Sequence, residues 1–322
     1  MPRIGLVLGA GGIVGHAFHA GVLSAIAEAT SWDPRKAEIV VGTSAGSRIG
    51  AMLRAGVSAG DLAAFATGEP PSEEGARFLA RLGPPAKLPP FTLANLFGDF
   101  PAASSPKLLL RAALRPWEAR FGTVLAAALP AGRHSTEEMV AGLRRAAGEE
   151  WPERPLWICA VRLEDGRRVV FGREESPPVT IATAVAASSA IPGFFAPVEH
   201  EGVRYVDGGV HSPTNLDLLE DLGLDLVVVS SPMSTVGSTL RLAPDFPGRL
   251  LSRLRLAQEA RRVRAGGTVV VTFQPNQADQ QVMGPNAMDP SRRRPVVEQA
   301  RESARRRLER KDIRERLDAL GR

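Results

Sequence analysis

The chain of 322 residues has few of the residue types on which several classes of functional site depend. It contains a single cysteine, Cys159, so it can form no intramolecular disulfide and no metal site built on a cysteine pair. Its single tyrosine, Tyr205, is followed four positions later by glycine, which excludes the Tyr-x-x-x-Lys pair of one dehydrogenase class. Long hydrophobic runs are also lacking: none approaches 18 residues, so no transmembrane helix is predicted. The Gly-rich opening does not resemble a secretory signal, and we expect a cytoplasmic protein.

Charge is unevenly distributed along the chain. The formal net charge is +5, and the basic excess lies near the C-terminal end. The cationic residues of this basic region are Arg292, Arg293, Arg294, Arg301, Arg305, Arg306, Arg307, Arg310, Lys311, Arg314 and Arg316. Such a region suits anionic lipid surfaces or nucleic acid. Interleaved acidic residues four positions from basic ones instead favour a solvated helix with internal ion pairs, so nucleic-acid binding is not expected.

The order of predicted elements indicates an α/β protein. A buried strand at 3–8 precedes a Gly-rich turn and an apolar helix, and a second strand at 38–41 precedes a helix closed by Gly56. This alternation predicts parallel strands with right-handed crossovers. Residues 57–150 are rich in proline and predict short helices and loops. Further strands are predicted at 156–163, 203–209, 224–231 and 267–275, with a hairpin turn at 164–166.

The glycine-rich loop after the first strand has two interpretations. One is a dinucleotide-binding loop, in which glycines let a pyrophosphate approach a helix N-terminus. The G-x-G-x-x-G spacing fails, however, because Val14 occupies the sixth position from Gly9, and no acidic residue ends the second strand. The other interpretation is a set of backbone N–H groups directed at an oxyanion. We favour the second.

A G-x-S-x-G motif follows the second strand. In "GTSAG" (42–46), Gly42 and Gly46 flank Ser44 at a predicted strand-to-helix turn. A strained turn of this kind exposes a serine hydroxyl at the edge of a sheet. The strand before the motif and the helix-compatible sequence after it favour a nucleophile, Ser44, over a tight structural turn.

A base for Ser44 is harder to find among the histidines. They are His16, His19, His134, His200 and His211. A hydrolase triad places its histidine after an acidic residue late in the chain, and His211 follows Asp207 by only four residues, too near for that order. Asp207 ends a predicted strand and precedes Gly208 and Gly209, which permit close backbone approach. By itself the Asp-Gly pair is more typical of a hairpin turn than of a catalytic base.

Together these segments resemble the patatin-like phospholipase family. "GAGGIVG" (9–15), "GTSAG" (42–46) and "DGG" (207–209) occur in the family's order, and "ASSAIPGFFAPV" (187–198) is similar to the segment before its aspartate strand. The resemblance implies a three-layer α/β/α fold with a mainly parallel central sheet and a helical or loop cap. It also implies a Ser44–Asp207 dyad, an oxyanion hole formed by the backbone N–H groups of Gly11, Gly12 and Ile13, and no metal or organic cofactor.

The activity that the resemblance implies is hydrolysis of lipid esters, either phospholipids or neutral lipids, through an acyl-serine intermediate. Alternatives are acyl transfer or thioester cleavage by the same dyad, or a catalytically weak lipid-binding protein whose basic C-terminal region contacts a membrane or partner. In one respect the sequence departs from the family. Val14 occupies the loop position where many members carry arginine, so a positive charge near the oxyanion is missing.

The expected domain organisation is a hydrolase domain at 1–275, with a cap-like insertion at about 61–150, and an Arg-rich extension at 276–322. Within the insertion, the aromatic-rich span 91–100 is interpreted as local packing of the cap in preference to a lid or acyl groove. For Ser188 and Ser189, in a run of small residues, we expect a packing role.

Overall fold

The computed structural model describes residues 2–86, 103–117, 120–237 and 245–317, and a central β-sheet organises them. The span 91–100 lies outside the described residues. The sheet has eight strands in the order β5-β6-β3-β2-β1-β7-β8, with β4 paired to β3. The strands are β1 (Ile4–Leu8), β2 (Ile39–Thr43), β3 (Leu156–Arg162), β4 (Arg168–Phe171), β5 (Val198–His200), β6 (Val203–Asp207), β7 (Leu226–Ser230) and β8 (Val269–Phe273).

Five strands run parallel, as the alternation of strands and helices predicts. β1 pairs with β2 and with β7, β2 pairs with β3, and β7 pairs with β8, all in parallel register. β4 and β6 pair antiparallel with β3, and β5 pairs antiparallel with β6. The central strands are rich in β-branched residues and buried along their whole length, as expected for a sheet covered on both faces.

Helices cover both faces of the sheet. Those described are α1 (Gly12–Thr30), α2 (Ala45–Arg54), α3 (Ala59–Thr67), α4 (Glu73–Leu82), α5 (Pro106–Leu114), α6 (Phe121–Ala128), α7 (Glu137–Ala147), α8 (Ile181–Ser188), α9 (Phe246–Ala265), α10 (Gln277–Met283), α11 (Arg293–Leu308) and α12 (Lys311–Leu317). Side chains of α1, α2, α8 and α11 share a core with Leu6 and Leu8, while those of α9 pack with Val7 on the opposite face. The result is a three-layer α/β/α arrangement.

The ends of β2 and β6 meet at the middle of β3. Thr43, the last residue of β2, pairs with Cys159, and Asp207, the last residue of β6, pairs with Ala160. Because the two partners are consecutive residues of β3, the turns that follow β2 and β6 come close together. The register of β3 therefore positions the candidate site.

The described part of the C-terminal region packs on the sheet's helical layer. Val297, Ala300 and Ala304 of α11 are buried in the core that contains α1. Outward-facing ion pairs join Arg294 to Glu298 and Arg306 to Glu302, which confirms the expected pairing of residues four apart. The division of the chain at residue 275 stays a prediction. Within the described ranges, no helix is both long and apolar enough to pass through a bilayer.

Candidate active site

Ser44 occupies a sharp turn between β2 and α2. Its backbone has φ 52° and ψ −116°, a conformation that non-glycine residues rarely adopt. Such a conformation costs on the order of 1–3 kcal/mol and persists only where the surrounding structure enforces it. Ser44 is buried and lies at the edge formed by the carboxyl ends of the parallel strands. This is the geometry of a nucleophile elbow.

Close backbone approach requires the two glycines of the motif. A Cβ atom at Gly46 would lie 1.9 Å from the carbonyl oxygen of Leu8, at the end of the neighbouring strand β1. A Cβ atom at Gly42 would lie 2.6 Å from the Cα atom of Ser47. The elbow is thus pressed directly against β1, and no larger residue fits at either position without moving backbone.

Ser188 holds the backbone of Ser44 in place. The Ser44 N–H donates to Ser188 Oγ at 2.9 Å, and the Ser188 hydroxyl donates to the carbonyl oxygen of Cys159 at 2.6 Å. Ser188 is fully buried, but its role goes beyond the packing expected from the sequence. Because Ser188 and Ser44 are 144 positions apart along the chain, no local pattern indicates this contact.

Asp207 presents a buried carboxylate at the end of β6. Oδ1 accepts a hydrogen bond of 2.7 Å from the Gly209 N–H, and the residue is 6% exposed. Burial raises the pKa of Asp207 to about 6, while the nearby Ser44 side chain and the hydrogen bond from the Gly209 N–H act in the opposite direction. The structure therefore brings Ser44 and Asp207 together, 163 positions apart in sequence.

The DGG turn packs tightly between β3 and the glycine loop. A Cβ atom at Gly208 would lie 2.2 Å from the carbonyl oxygen of Cys159, so only glycine fits there. A Cβ atom at Gly209 would lie 3.3 Å from that of Ala10 in the glycine loop. The three segments quoted from the sequence are therefore neighbours in space.

The glycine loop carries unpaired backbone donors. Among the described residues, the N–H groups of Gly11, Gly12 and Ile13 have no acceptor, while that of Val14 donates to the carbonyl oxygen of Ala287 at 3.0 Å. Gly11 caps α1, so these donors lie at the positive end of the helix dipole. Gly12 has φ 61°, a left-handed conformation that favours glycine.

A further unpaired donor belongs to the elbow itself. The N–H of Ala45, the first residue of α2, also has no acceptor within the described part of the chain. In elbows of this type, the residue after the nucleophile commonly contributes to the oxyanion hole. The Gly46 N–H, by contrast, donates to the carbonyl oxygen of Gly9 at 3.2 Å and ties the elbow to the loop.

Two histidines, His19 and His211, have surroundings that keep their rings neutral. His19 is fully buried between Ser230 Oγ, 2.7 Å from its Nδ1, and the Gly9 carbonyl oxygen, 2.8 Å from its Nε2. Burial lowers the pKa of His19 to about 4, so the ring is neutral and helps to fix the glycine loop. Burial likewise lowers the pKa of His211 to about 3. No histidine makes a hydrogen bond to Ser44 in the described structure.

Comparison with known proteins identifies the family of this chain. The family model described as Patatin-like phospholipase matches residues 6–219, which is more than half of the chain and contains Ser44 and Asp207. The fold and the match define the class as lipid acyl hydrolases of the α/β type. The chain belongs to the patatin-like phospholipase family.

Two solved structures are similar to this chain. The crystal structure of VipD from Legionella pneumophila matches with 16% sequence identity and a TM-score of 0.46, covering 96% of this chain and 67% of VipD. The crystal structure of the type III effector protein ExoU matches with 19% identity and a TM-score of 0.38. That match covers 98% of this chain and 53% of ExoU, so the chain spans about half of ExoU's length.

Proposed function

We propose that this protein hydrolyses carboxylic esters of lipids with a Ser44–Asp207 dyad. The observation that carries the proposal is the buried Asp207 carboxylate, which lies near enough to the Ser44 side chain at the elbow for that side chain to influence its pKa, and whose pKa burial raises to about 6. An ordinary aspartate is a weak base toward a hydroxyl. Burial makes Asp207 a stronger base because it raises the pKa of the carboxyl group to about 6. At pH 7 most of the carboxylate is still ionised.

The dyad supports a two-step acyl transfer. Ser44 Oγ attacks the acyl carbon while its proton passes to Asp207, and the alcohol leaves with that proton as the ester bond breaks. Water then attacks the acyl-serine, Asp207 takes one of its protons, and Ser44 recovers a proton as the carboxylic acid departs. The N–H groups of Gly11, Gly12 and Ile13 would stabilise the tetrahedral oxyanion in both steps.

The same chemistry permits other acyl acceptors and donors. An alcohol that replaces water in the second step would make the protein an acyltransferase, and a thioester substrate would make it a thioesterase. A lipid-binding protein without turnover is the non-enzymatic alternative. Peripheral contact with a membrane through the basic C-terminal region, and a cytoplasmic location, belong to the proposal as well.

The test of this function uses the wild-type protein with two probes. We expect fluorophosphonate to label one residue, located by mass spectrometry in the peptide that contains Ser44, and we expect acyl glycerols and p-nitrophenyl esters to be hydrolysed. Fatty acid released in water, without transfer to added alcohol, would distinguish a hydrolase from a transferase. A wild-type protein that is neither labelled nor active on any ester contradicts the proposal.

A further inference from the structure

A pocket beside the glycine loop contains two arginines. It has a volume of about 210 Å³ and lies among α1, α2, α3, α4, α7 and the start of α11. It shares Ile13 with the loop of candidate oxyanion donors, and Arg48 enters it from the first turns of α2, four residues after Ser44. Arg293 enters it from the first residue of α11. We call this cavity the Arg48 pocket.

The two guanidinium groups in the pocket have no anionic partner. Among the described residues, no carboxylate lies within ion-pair distance of Arg48 or Arg293, and the side chain of Arg48 donates only to the carbonyl oxygen of Met139. Burial and then the charge of Arg293 lower the pKa of Arg48 to about 10, and no carboxylate counteracts this. Partly buried charges without partners are costly, because an arginine normally leaves water only for a counterion.

The other polar groups of the pocket also leave room for an anion. Nε2 of His16 is buried and has no hydrogen-bond partner, and burial lowers the pKa of His16 well below its usual value. Glu138, the one carboxylate that lines the pocket, is solvent-exposed and forms no ion pair with either arginine in the described structure.

The rest of the pocket wall is apolar. It is formed mainly by hydrophobic side chains of α2, α3 and α4, among them Ile49, Met52, Leu62, Phe65, Leu79 and Leu82. A small inorganic anion would leave this wall in contact with water. A ligand that joins an oxyanion to a hydrocarbon chain satisfies both the cations and the wall.

We infer that the Arg48 pocket is an anion-binding subsite, in which Arg48 and Arg293 bind a phosphate or carboxylate group attached to an acyl chain. The inference rests on the proposed ester hydrolysis, because the pocket opens beside the candidate oxyanion loop. Guanidinium groups suit this task, since each can donate two parallel hydrogen bonds to one oxyanion. Arg293 lies outside the residues matched by the family model, so half of the subsite comes from the C-terminal region.

The subsite is tested with a matched pair of substrates. A monoacyl glycerol and the corresponding monoacyl glycerol phosphate carry the same chain and the same ester, and differ only in the anion. We expect wild type to have the higher kcat/KM for the phosphate ester. Arg48→Gln and Arg293→Gln should each lower the anionic-to-neutral ratio of kcat/KM by about 10-fold or more, chiefly through KM. Arg48→Lys should restore part of the preference.

The control is Arg77→Gln, which removes an exposed arginine of α4 that does not line the pocket, and should keep the wild-type ratio. Inorganic phosphate is the second probe: if it inhibits wild type and inhibits the Arg48→Gln variant much less, the subsite also accepts the free anion. Equal ratios in wild type and both glutamine variants, with no effect of phosphate, overturn the inference. If wild type hydrolyses neither ester, the proposed function fails. Calorimetry then tests the subsite by itself: phosphate should bind to wild type and bind much more weakly to Arg48→Gln, and equal binding to both overturns the inference.

A separate observation concerns a surface formed by α5, α6 and Trp117, which follows α5. Large apolar side chains there are 48% to 78% exposed, namely Leu110, Leu114, Trp117, Phe121 and Leu125. We call this the α5–α6 surface. Beside it lies a cleft lined by Arg111, Arg115, Arg120, Arg167 and Arg168 together with Asp165; Arg167 is paired with Asp165 and Arg168 with Asp217. Exposed aromatic and leucine side chains bordered by arginines are typical of surfaces that enter the interfacial region of an anionic bilayer.

The α5–α6 surface is close to the candidate site. A Cβ atom at Gly122 of α6 would lie 2.1 Å from the carbonyl oxygen of Val210, in the turn that begins at Gly208. A bilayer on this surface would therefore bring lipid to the side of the protein that carries the DGG turn. The geometry points to an anionic lipid surface as its partner, with Trp117 inserted among the head groups.

Vesicle binding tests the α5–α6 surface on the full chain. With phosphatidylglycerol-containing vesicles, we expect cosedimentation and a blue shift of tryptophan fluorescence, and both should weaken with neutral phosphatidylcholine vesicles. The double variant Leu114→Ser/Trp117→Ser should lose about 10-fold or more in partitioning. Val269→Thr changes an exposed apolar residue at the far end of the sheet and should bind as wild type does. Unchanged binding of the double variant overturns the proposal. If binding is lost only in the C-terminal variant Arg306→Gln/Arg314→Gln, the basic region makes the contact and not the α5–α6 surface.

Discussion

Replacing Ser44 with alanine should lower kcat/KM for every ester substrate by about three orders of magnitude or more and abolish fluorophosphonate labelling. The reason is that the nucleophile takes part in every covalent step, so its loss leaves only substrate binding and oxyanion stabilisation. Initial-rate kinetics and intact-protein mass spectrometry measure the two effects. Retention of a tenth or more of the wild-type rate by Ser44→Ala would show that another residue is the nucleophile.

Two further variants separate chemistry from folding at the elbow. Ser47→Ala removes a buried hydroxyl one turn along α2, which donates to the Ser44 carbonyl oxygen at 2.6 Å, and this variant should remain labelled. Ser44→Gly should be as inactive as Ser44→Ala but more stable, because glycine adopts φ 52° without the strain that serine carries. We expect its melting temperature to rise by a few degrees. A lower melting temperature for Ser44→Gly would contradict the strained elbow.

Replacing Asp207 with asparagine should lower kcat/KM by about 10²- to 10⁴-fold, the usual contribution of a general base. Asparagine keeps the size of the side chain and can still accept the Gly209 N–H, but it cannot accept a proton from Ser44. Initial rates on the neutral glycerol ester measure the loss. Full activity in Asp207→Asn would remove Asp207 from the dyad even if Ser44 still reacts with fluorophosphonate.

The pH dependence provides an independent measure of the same group. The ionised carboxylate is the active form, so kcat/KM of wild type should fall about tenfold per pH unit below the pKa of about 6. An exposed aspartate would give that decline nearer pH 4. His211→Ala should keep the acid limb, because the pKa of His211, about 3, places its titration well below the limb. Asp207→Asn should lack it.

The raised pKa of Asp207 also affects stability, with a defined sign. Because the folded protein holds this proton more tightly than the unfolded chain does, stability from this group is present below about pH 4 and is lost as pH rises through about 6. The Asp207→Asn variant has no such charge to bury. Its thermal stability relative to wild type should therefore increase between pH 4 and pH 7, which also verifies that the inactive variant is folded.

The sequence by itself determined the local features of this protein. Alternating β-branched strands and apolar helices predicted the parallel sheet, and the turn at 164–166 predicted the β3–β4 hairpin. The glycine spacing around Ser44 predicted the elbow, because only glycine permits the approach of Gly46 to Leu8. These features depend on backbone sterics and on periodicity within a few residues, which is information that a single stretch of sequence contains.

Tertiary structure decided which distant residues meet and what chemistry they acquire. In the sequence, the Asp-Gly pair at 207–208 fits a hairpin turn better than a catalytic base, and only the register of β3 brings it near Ser44. Ser188 contacts the elbow, and Arg293 joins Arg48, only after the chain has folded. The pKa of Asp207 depends on how much water the folded structure excludes, and no residue near it in sequence sets that quantity. Burial and contacts between distant segments are properties of the packed chain, so they emerge only with the fold.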